Sequence, residues 1–251
     1  METRQENLEY NKAVNETIKI YNNIKNNDVE KQTIRKTIKI HKYMKNFVYS
    51  VIKRLFDILI GIAGLIVMIP ITVIVFILNR VNKENGPVFY EQLRIGKNGK
   101  YFKIYKFRSE VVGADKILSE YLETHPKEKE EFEQFRKLEN DPRITKTGKF
   151  LRETSLDELP QCINLLKGNM SLIGPRPVID GEIDKYGQNR DKFLSAKPGL
   201  TGYWQVNGRS NTTYEERINM ELYYVDNRSL LLDIKIFFKT FKAIIKKEGA
   251  K

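Results

Sequence analysis

A chain of 251 residues is long enough to hold one or two domains around a real core. Its net charge of +12 asks for an anionic partner: nucleic acid, phospholipid or a phosphorylated small molecule. One cysteine excludes an intramolecular disulfide, and two histidines without a second His or Cys at ligand spacing argue against a zinc site or a Ser-His-Asp triad. Any metal is therefore expected to be a hard one held through oxygen.

Residues 1–50 form a polar extension rich in Asn and Lys. After Glu30 no carboxylate occurs until Asp57, while Lys31, Arg35, Lys36, Lys39, Lys42, Lys45, Lys53 and Arg54 accumulate. Ile34, Ile38, Ile40, Tyr43 and Phe47 recur near helical spacing. The pattern reads as a basic amphipathic helix approaching an anionic bilayer, with a solvated helix as the other reading.

The stretch from Ile58 to Leu78 has no charged side chain and is long enough to span a bilayer as a helix. It starts too far from Met1 to be a cleaved secretory signal. Pro70, near its middle, removes a helical hydrogen bond at about 3 kcal/mol unless compensated, and favours a kink. Lys53 and Arg54 precede the stretch and Arg80 and Lys83 follow it, so flanking charge does not choose a direction. A helix of residues 51–80 that enters one leaflet, bends at Pro70 and returns to the same face accounts for both features. A straight span accounts for the length alone.

From residue 81 to 251 the chain reads as a mixed α/β domain. Pro87 to Tyr90 and Tyr101 to Phe107 are strand-like, with a turn at Gly96 to Gly99. Residues 115–139 form a charged helical stretch, a candidate lid or subunit contact in a homo-oligomer. Gln161 to Lys167 reads as a helix stopped by Gly168, with Cys162 as a small buried side chain. Near the C-terminus Ile234, Phe237, Phe238, Phe241, Ile244 and Ile245 mark an apolar face among lysines, which suits either an interfacial helix or a helix capping the core.

The adjacent acids Asp157 and Glu158 lie between a basic segment, Arg143, Lys146, Lys149 and Arg152, and the run Gly174-Pro175-Arg176-Pro177. Carboxylates among fixed cations suit chemistry on a phosphorylated substrate, with the cations on phosphate and an acid holding Mg2+ or attacking phosphorus. The same residues also fit simple capping: Ser155-x-x-Glu158 as a capping box, or Asp157 as the cap with Pro160 in the first turn. The motif alone leaves both readings open. Walker A, dinucleotide-binding and kinase signatures are absent, as is any pair of aspartates two residues apart.

Ordered motifs across residues 50–245 resemble the small monotopic phosphoglycosyl transferases, the bacterial sugar transferases that begin exopolysaccharide, capsule and O-antigen assembly. They include Lys53-Arg54-x-Phe56-Asp57, Gln92-x-Arg94-x-Gly96-x-x-Gly99, Lys106-Phe107-Arg108-Ser109, Asp141-Pro142-Arg143, Thr154 to Gln161, Ser171 to Pro177 and Pro198 to Arg209. The resemblance implies a mostly helical α/β monotopic membrane protein. Its parts would be a kinked re-entrant helix, a small cytosolic catalytic domain and interfacial amphipathic helices, placed on the cytoplasmic face of the bacterial inner membrane. It implies transfer of a sugar-1-phosphate from a UDP-sugar to undecaprenyl phosphate with release of UMP, the donor resembling UDP-galactose or UDP-glucose.

In that scheme Asp157 matches the nucleophile and Glu158 its partner acid, both at the Mg2+, and Arg152, Arg176 and Arg209 match positions around the phosphates. The dipole of a helix start would keep Asp157 ionised. Lys106 and Arg108 match a basic motif to which no role is assigned. Two departures stand out: Ile69 precedes the proline where the family usually has Ser, and Glu110 replaces the Met that usually follows the basic motif. The alternative of another class is a catalytically inactive membrane scaffold for polysaccharide enzymes. Nucleic acid is not an expected partner, because the apolar stretch makes lipid the simpler source of negative charge.

Overall fold

The computed structural model describes residues 12–17, 28–135, 138, 140–208 and 212–245. The chain divides into two compact units, Met1–Val51 and Ile52–Lys251. In the first, the described residues are helical, and Ile38, Tyr43, Met44, Phe47 and Val48 are exposed. The long helix α1, Asp28–Val81, continues through Pro70.

The second unit is mostly helical. It contains β1 (Phe89–Ile95), β2 (Tyr101–Phe107), α2 (Ala114–Thr124), α3 (Pro126–Phe135), α4 (Lys146–Glu153) and α5 (Cys162–Lys167). There follow β3 (Ser171–Ile173), α6 (Arg190–Leu194), β4 (Gly199–Thr201), α7 (Tyr203–Asn207), α8 (Tyr214–Asn227) and α9 (Leu230–Ile245). β1 and β2 pair antiparallel, and β3 and β4 pair parallel. The charged stretch expected at 115–139 is two helices, because Pro126 has no N–H to continue α2 and instead opens α3.

The apolar part of α1 belongs to this second unit and is fastened to it along one stripe. Arg54 donates to the carbonyls of Leu165 (2.5 Å) and Leu166 (2.8 Å), satisfying the C-terminal end of α5. Asp57 accepts from Ser171 Oγ and Leu172 N at 2.9 and 2.7 Å, and Lys53 donates to Asp233 at 2.6 Å. One and two turns on, Gly61 and Gly64 let α5 come close: a Cβ at Gly64 would stand 2.8 Å from Cys162 Cβ. Met68 and Val75 then join Phe107, Leu151 and Cys162 in a buried cluster. At the far end Asn82 Nδ2 donates to Thr147 Oγ1 and Glu84 accepts from Thr147 N. The opposite side of the helix exposes Leu59, Ile62, Ile66, Ile69, Val73 and Ile77.

Helix α9 resolves its two sequence readings in the same way. Asp233, Ile236 and Ala243 face inward, whereas Leu231, Ile234, Phe238 and Phe241 are exposed. The aromatic face noticed in the sequence is therefore the outer one, and a second, smaller stripe makes the core.

Because the gap at Gly64 is closed by the side chain of Cys162, Gly64→Leu is expected to destabilise the protein by about 2 kcal/mol through overpacking. Thermal unfolding in detergent, compared with wild type, measures this.

Candidate active site

Two local features present the acid pair. Ser155 takes a left-handed conformation (φ 56) that ends the α4 turn, and Leu156–Gln161 then forms a tight 3-10 helix carrying Asp157, Glu158 and Pro160. No side-chain cap forms there, so both capping readings fall: the carboxylates do not bond the helix start and point elsewhere.

They meet Lys106. Its Nζ donates to Glu158 Oε1 at 2.7 Å and lies 3.7 Å from Asp157 Oδ2. Strand geometry puts it there. In β2, Phe102, Ile104 and Lys106 share a face, and the register sets Arg94, Gln92 and Tyr90 opposite them in turn. Asn164 on α5, fully buried, pins the strand edge: its Nδ2 donates to Lys103 O and its Oδ1 accepts from Tyr105 N. The acid-bearing turn is thereby locked across from Lys106. A cleft results whose lining includes Arg94, Lys106, Glu158, Gln161, Arg176 and Gln205.

The two acids titrate differently. Burial pushes the Asp157 carboxyl above its ordinary range and the charge of Glu158 adds to this, against Lys106 and Arg152. Burial also opposes ionisation of Glu158, but Lys106, its hydrogen bond and Arg176 outweigh it and hold Glu158 below the usual range. Burial is the largest influence on the Asp157 carboxyl, and Lys106 is the chief opposing charge.

The cations expected nearby are redistributed. Arg143 is spent on Asp141, with Nη2 at 2.7 Å, and Lys146 and Lys149 are exposed on α4. Arg152 lends its charge to Asp157, but its Nε donates to Ser109 and its Nη2 to Glu110 at 2.6 Å. The residue that departs from the motif, Glu110, is therefore its ion-pair partner. Arg176 reaches the cleft as expected, and Arg209 lies outside the described residues. Sequence reasoning gave Lys106 and Arg94 no role, although alternation in β2 places a lysine on the core-facing side, which is a readable signal.

Asp157 and Glu158 supply hard oxygen donors, and among the described residues no third His, Cys, Asp or Glu completes a cluster. This donor set suits Mg2+ in the manner usual for that ion, with one or two carboxylates and the remaining positions filled by phosphate oxygens and water.

Glu158, one lysine and two arginines line one cleft, with Asp157 beside them at the same lysine, an arrangement that suits an anionic ligand. Comparison with known proteins identifies the class. Residues 48–247 match the family described as bacterial sugar transferase. The chain is 45% identical over 199 residues to an undecaprenyl-phosphate galactose phosphotransferase of Salmonella typhimurium, covering 79% of this chain and 41% of that protein. It is 42% identical over 198 residues to the exopolysaccharide production protein ExoY of Sinorhizobium fredii, covering 79% and 87%. A UDP-glucose:undecaprenyl-phosphate glucose-1-phosphate transferase of Escherichia coli is 36% identical over 210 residues, with 80% and 42% covered. The chain belongs to the bacterial sugar transferase family. It spans about two fifths of the length of the first of these relatives and most of ExoY.

The raised Asp157 carboxyl carries a stability signature. A group whose folded pKa exceeds its unfolded value favours folding at low pH, and that contribution is lost as pH rises through the folded value. Asp157→Asn is therefore expected to melt at or above the wild-type temperature at pH 8, with the advantage shrinking as pH falls toward the ordinary carboxylate range. Melting curves between pH 4 and 8 check it.

Proposed function

We propose that this protein transfers a sugar-1-phosphate from a UDP-sugar, UDP-galactose or UDP-glucose by analogy with its relatives' names, to undecaprenyl phosphate. UMP is released, and the step opens the membrane phase of exopolysaccharide or capsule assembly. The observation that carries this reading is Lys106 bridging Asp157 and Glu158, with Lys106 and Glu158 lining a cleft shared with Arg94 and Arg176.

Asp157 is the nucleophile. Its ionised oxygen attacks the sugar-linked phosphorus, a phosphorus–oxygen bond forms, and the bond to the bridging oxygen breaks so that UMP leaves with the electron pair. The lipid phosphate oxygen then attacks the same phosphorus and returns the Asp157 carboxylate. An anion attacking an anionic diphosphate needs its repulsion removed, and Lys106, Arg94 and Arg176 are held in place to do so before substrate arrives. Mg2+, held by Asp157 and Glu158, would supply further neutralisation of the phosphate oxygens. Lys106 also opposes the burial that raises the Asp157 carboxyl, which favours the ionised nucleophile.

The same reading includes a monotopic placement on the cytoplasmic face of the bacterial inner membrane, where lipid phosphate meets nucleotide sugar. It is supported by the fastening of the apolar stretch Ile58 to Leu78 on both sides to one domain, through Arg54 and Asp57 before it and Asn82 and Glu84 after it. Residues Ile58 to Leu78 would rise only about 31 Å as a straight helix, and a domain gripping both ends holds them at one water interface. Pro70 lies on the exposed apolar side, where the carbonyl of Ile66 loses its N–H partner. Thr72 Oγ donates to the Met68 carbonyl at 2.7 Å, a contact that favours bending. The outer apolar residues of α1 and α9 would be covered by lipid, with the basic residues 31–54 on anionic headgroups.

Detergent-purified protein with Mg2+, undecaprenyl phosphate and a panel of UDP-sugars is expected to release UMP from one donor. Asp157→Asn should lower the rate at least about 1000-fold, and EDTA should abolish it. Full turnover by folded Asp157→Asn would instead point to a scaffold. For topology, cysteines placed at Ser50 and Lys83, with Cys162 buried, are expected to react with an impermeant thiol reagent only in inside-out vesicles. Labelling of the two from opposite faces would establish a straight span.

A further inference from the structure

The loop that carries Arg176 into the cleft is held from behind by a residue with no place in the chemistry above. Glu221 lies on α8, one turn after Arg217, and only 1% of it is exposed. Its Oε1 accepts the backbone N–H of Arg176 at 3.1 Å, while its Oε2 is buried without a hydrogen-bond partner. The charged and titratable groups around it are Arg176 from the loop after β3, Arg217 on its own helix, Tyr186 from the 3-10 turn before α6 and Tyr214 at the start of α8.

Arg217 is 9% exposed, and its Nε and Nη2 have no hydrogen-bond partner. Its guanidinium lies 4.5 Å from the Trp204 ring, and that of Arg176 lies 5.9 Å from the same ring. A carboxylate this deeply buried with one oxygen unanswered is costly, and a core designed only for stability would replace it. What it contacts is the backbone of Arg176, a loop arginine that lines the cleft with Glu158 and acts on its charge.

We propose that Glu221 is a positioning residue that, through the backbone amide of Arg176, sets the guanidinium of that residue against the diphosphate of the bound sugar nucleotide. The inference rests on the cleft being the UDP-sugar site. As a carboxylate, Glu221 makes a charge-assisted bond to the Arg176 amide, about twice as strong as a neutral one. Burial pushes this carboxyl up to about 7, against the Arg176 amide and the charges of Arg217 and Arg176. The grip on the Arg176 loop therefore changes near neutrality: the carboxylate is present above that value and lost below it.

The test is UDP-glucose and UDP-galactose binding by calorimetry from pH 6 to 8.5, using the full chain in detergent. Both nucleotides have a diphosphate without a proton titrating in this range. The host is Asp157→Asn, which removes turnover and that carboxyl's own titration. Affinity for the accepted donor is expected to weaken about fivefold to tenfold as pH falls through 7. Adding Glu221→Gln, which keeps the shape and an acceptor oxygen, should give pH-independent binding at the weak, low-pH level, with a melting temperature at pH 8 no lower than the host's. Identical pH profiles with and without Glu221→Gln, or a flat profile in the host, would overturn the proposal. Binding of neither nucleotide at any pH, in folded protein, would remove the reading of the cleft itself and the inference with it.

Discussion

Two neighbouring carboxylates drawn partly out of water repel each other and resist ionisation, and Lys106 is what makes their arrangement tenable. At 2.7 Å from Glu158 and 3.7 Å from Asp157, one ammonium serves both acids unequally. The two carboxyls are shifted in opposite directions: burial pushes Asp157 up, while Lys106 outweighs burial and holds Glu158 below the usual range. Much of the second unit serves that geometry. The β1–β2 ribbon delivers the lysine, Asn164 fixes the ribbon to α5, and the left-handed Ser155 turns the acids toward it.

The same economy appears in α1. A helix covered entirely by lipid has no need of Asp57, Gly61 or Gly64, and one buried entirely in protein has no need of the outward Leu59, Ile66, Ile69 and Val73. Carrying both faces, it joins an apolar surface directly to the domain that holds the acid pair. Polar contacts at each end resist any sliding of the helix along its axis, since Asp57 and Arg54 would both lose bonds that are costly to leave unmade.

Negative charge has been placed with equal care among the arginines. Arg143 and Arg152 each have a carboxylate of their own, Asp141 and Glu110. Arg94 is anchored by Gln92 and the Pro177 carbonyl, and Arg176 by the bond from its amide to Glu221. Preorganised cations of this kind do their work without rearranging when substrate charge arrives.

The apolar helix, the second strand, the acid pair and the family are legible in the chain alone, because each is written in local periodicity or contiguous motifs; the first strand is Phe89–Ile95 and not Pro87 to Tyr90, because it runs on in register with β2. Pro126, which splits the charged helical stretch, is legible in the same way. The partners of the acids were not legible from spacing. Arg143, Lys146 and Lys149 are close in sequence, yet one is paired elsewhere and two face solvent, whereas Lys106 arrives from a distant strand. The tertiary structure also decided which face of α9 is outer, because two apolar stripes on one helix compete and only packing selects between them. It alone shows that burial and Lys106 act unequally on Asp157 and Glu158, since burial and through-space charge are not properties of the chain's local sequence.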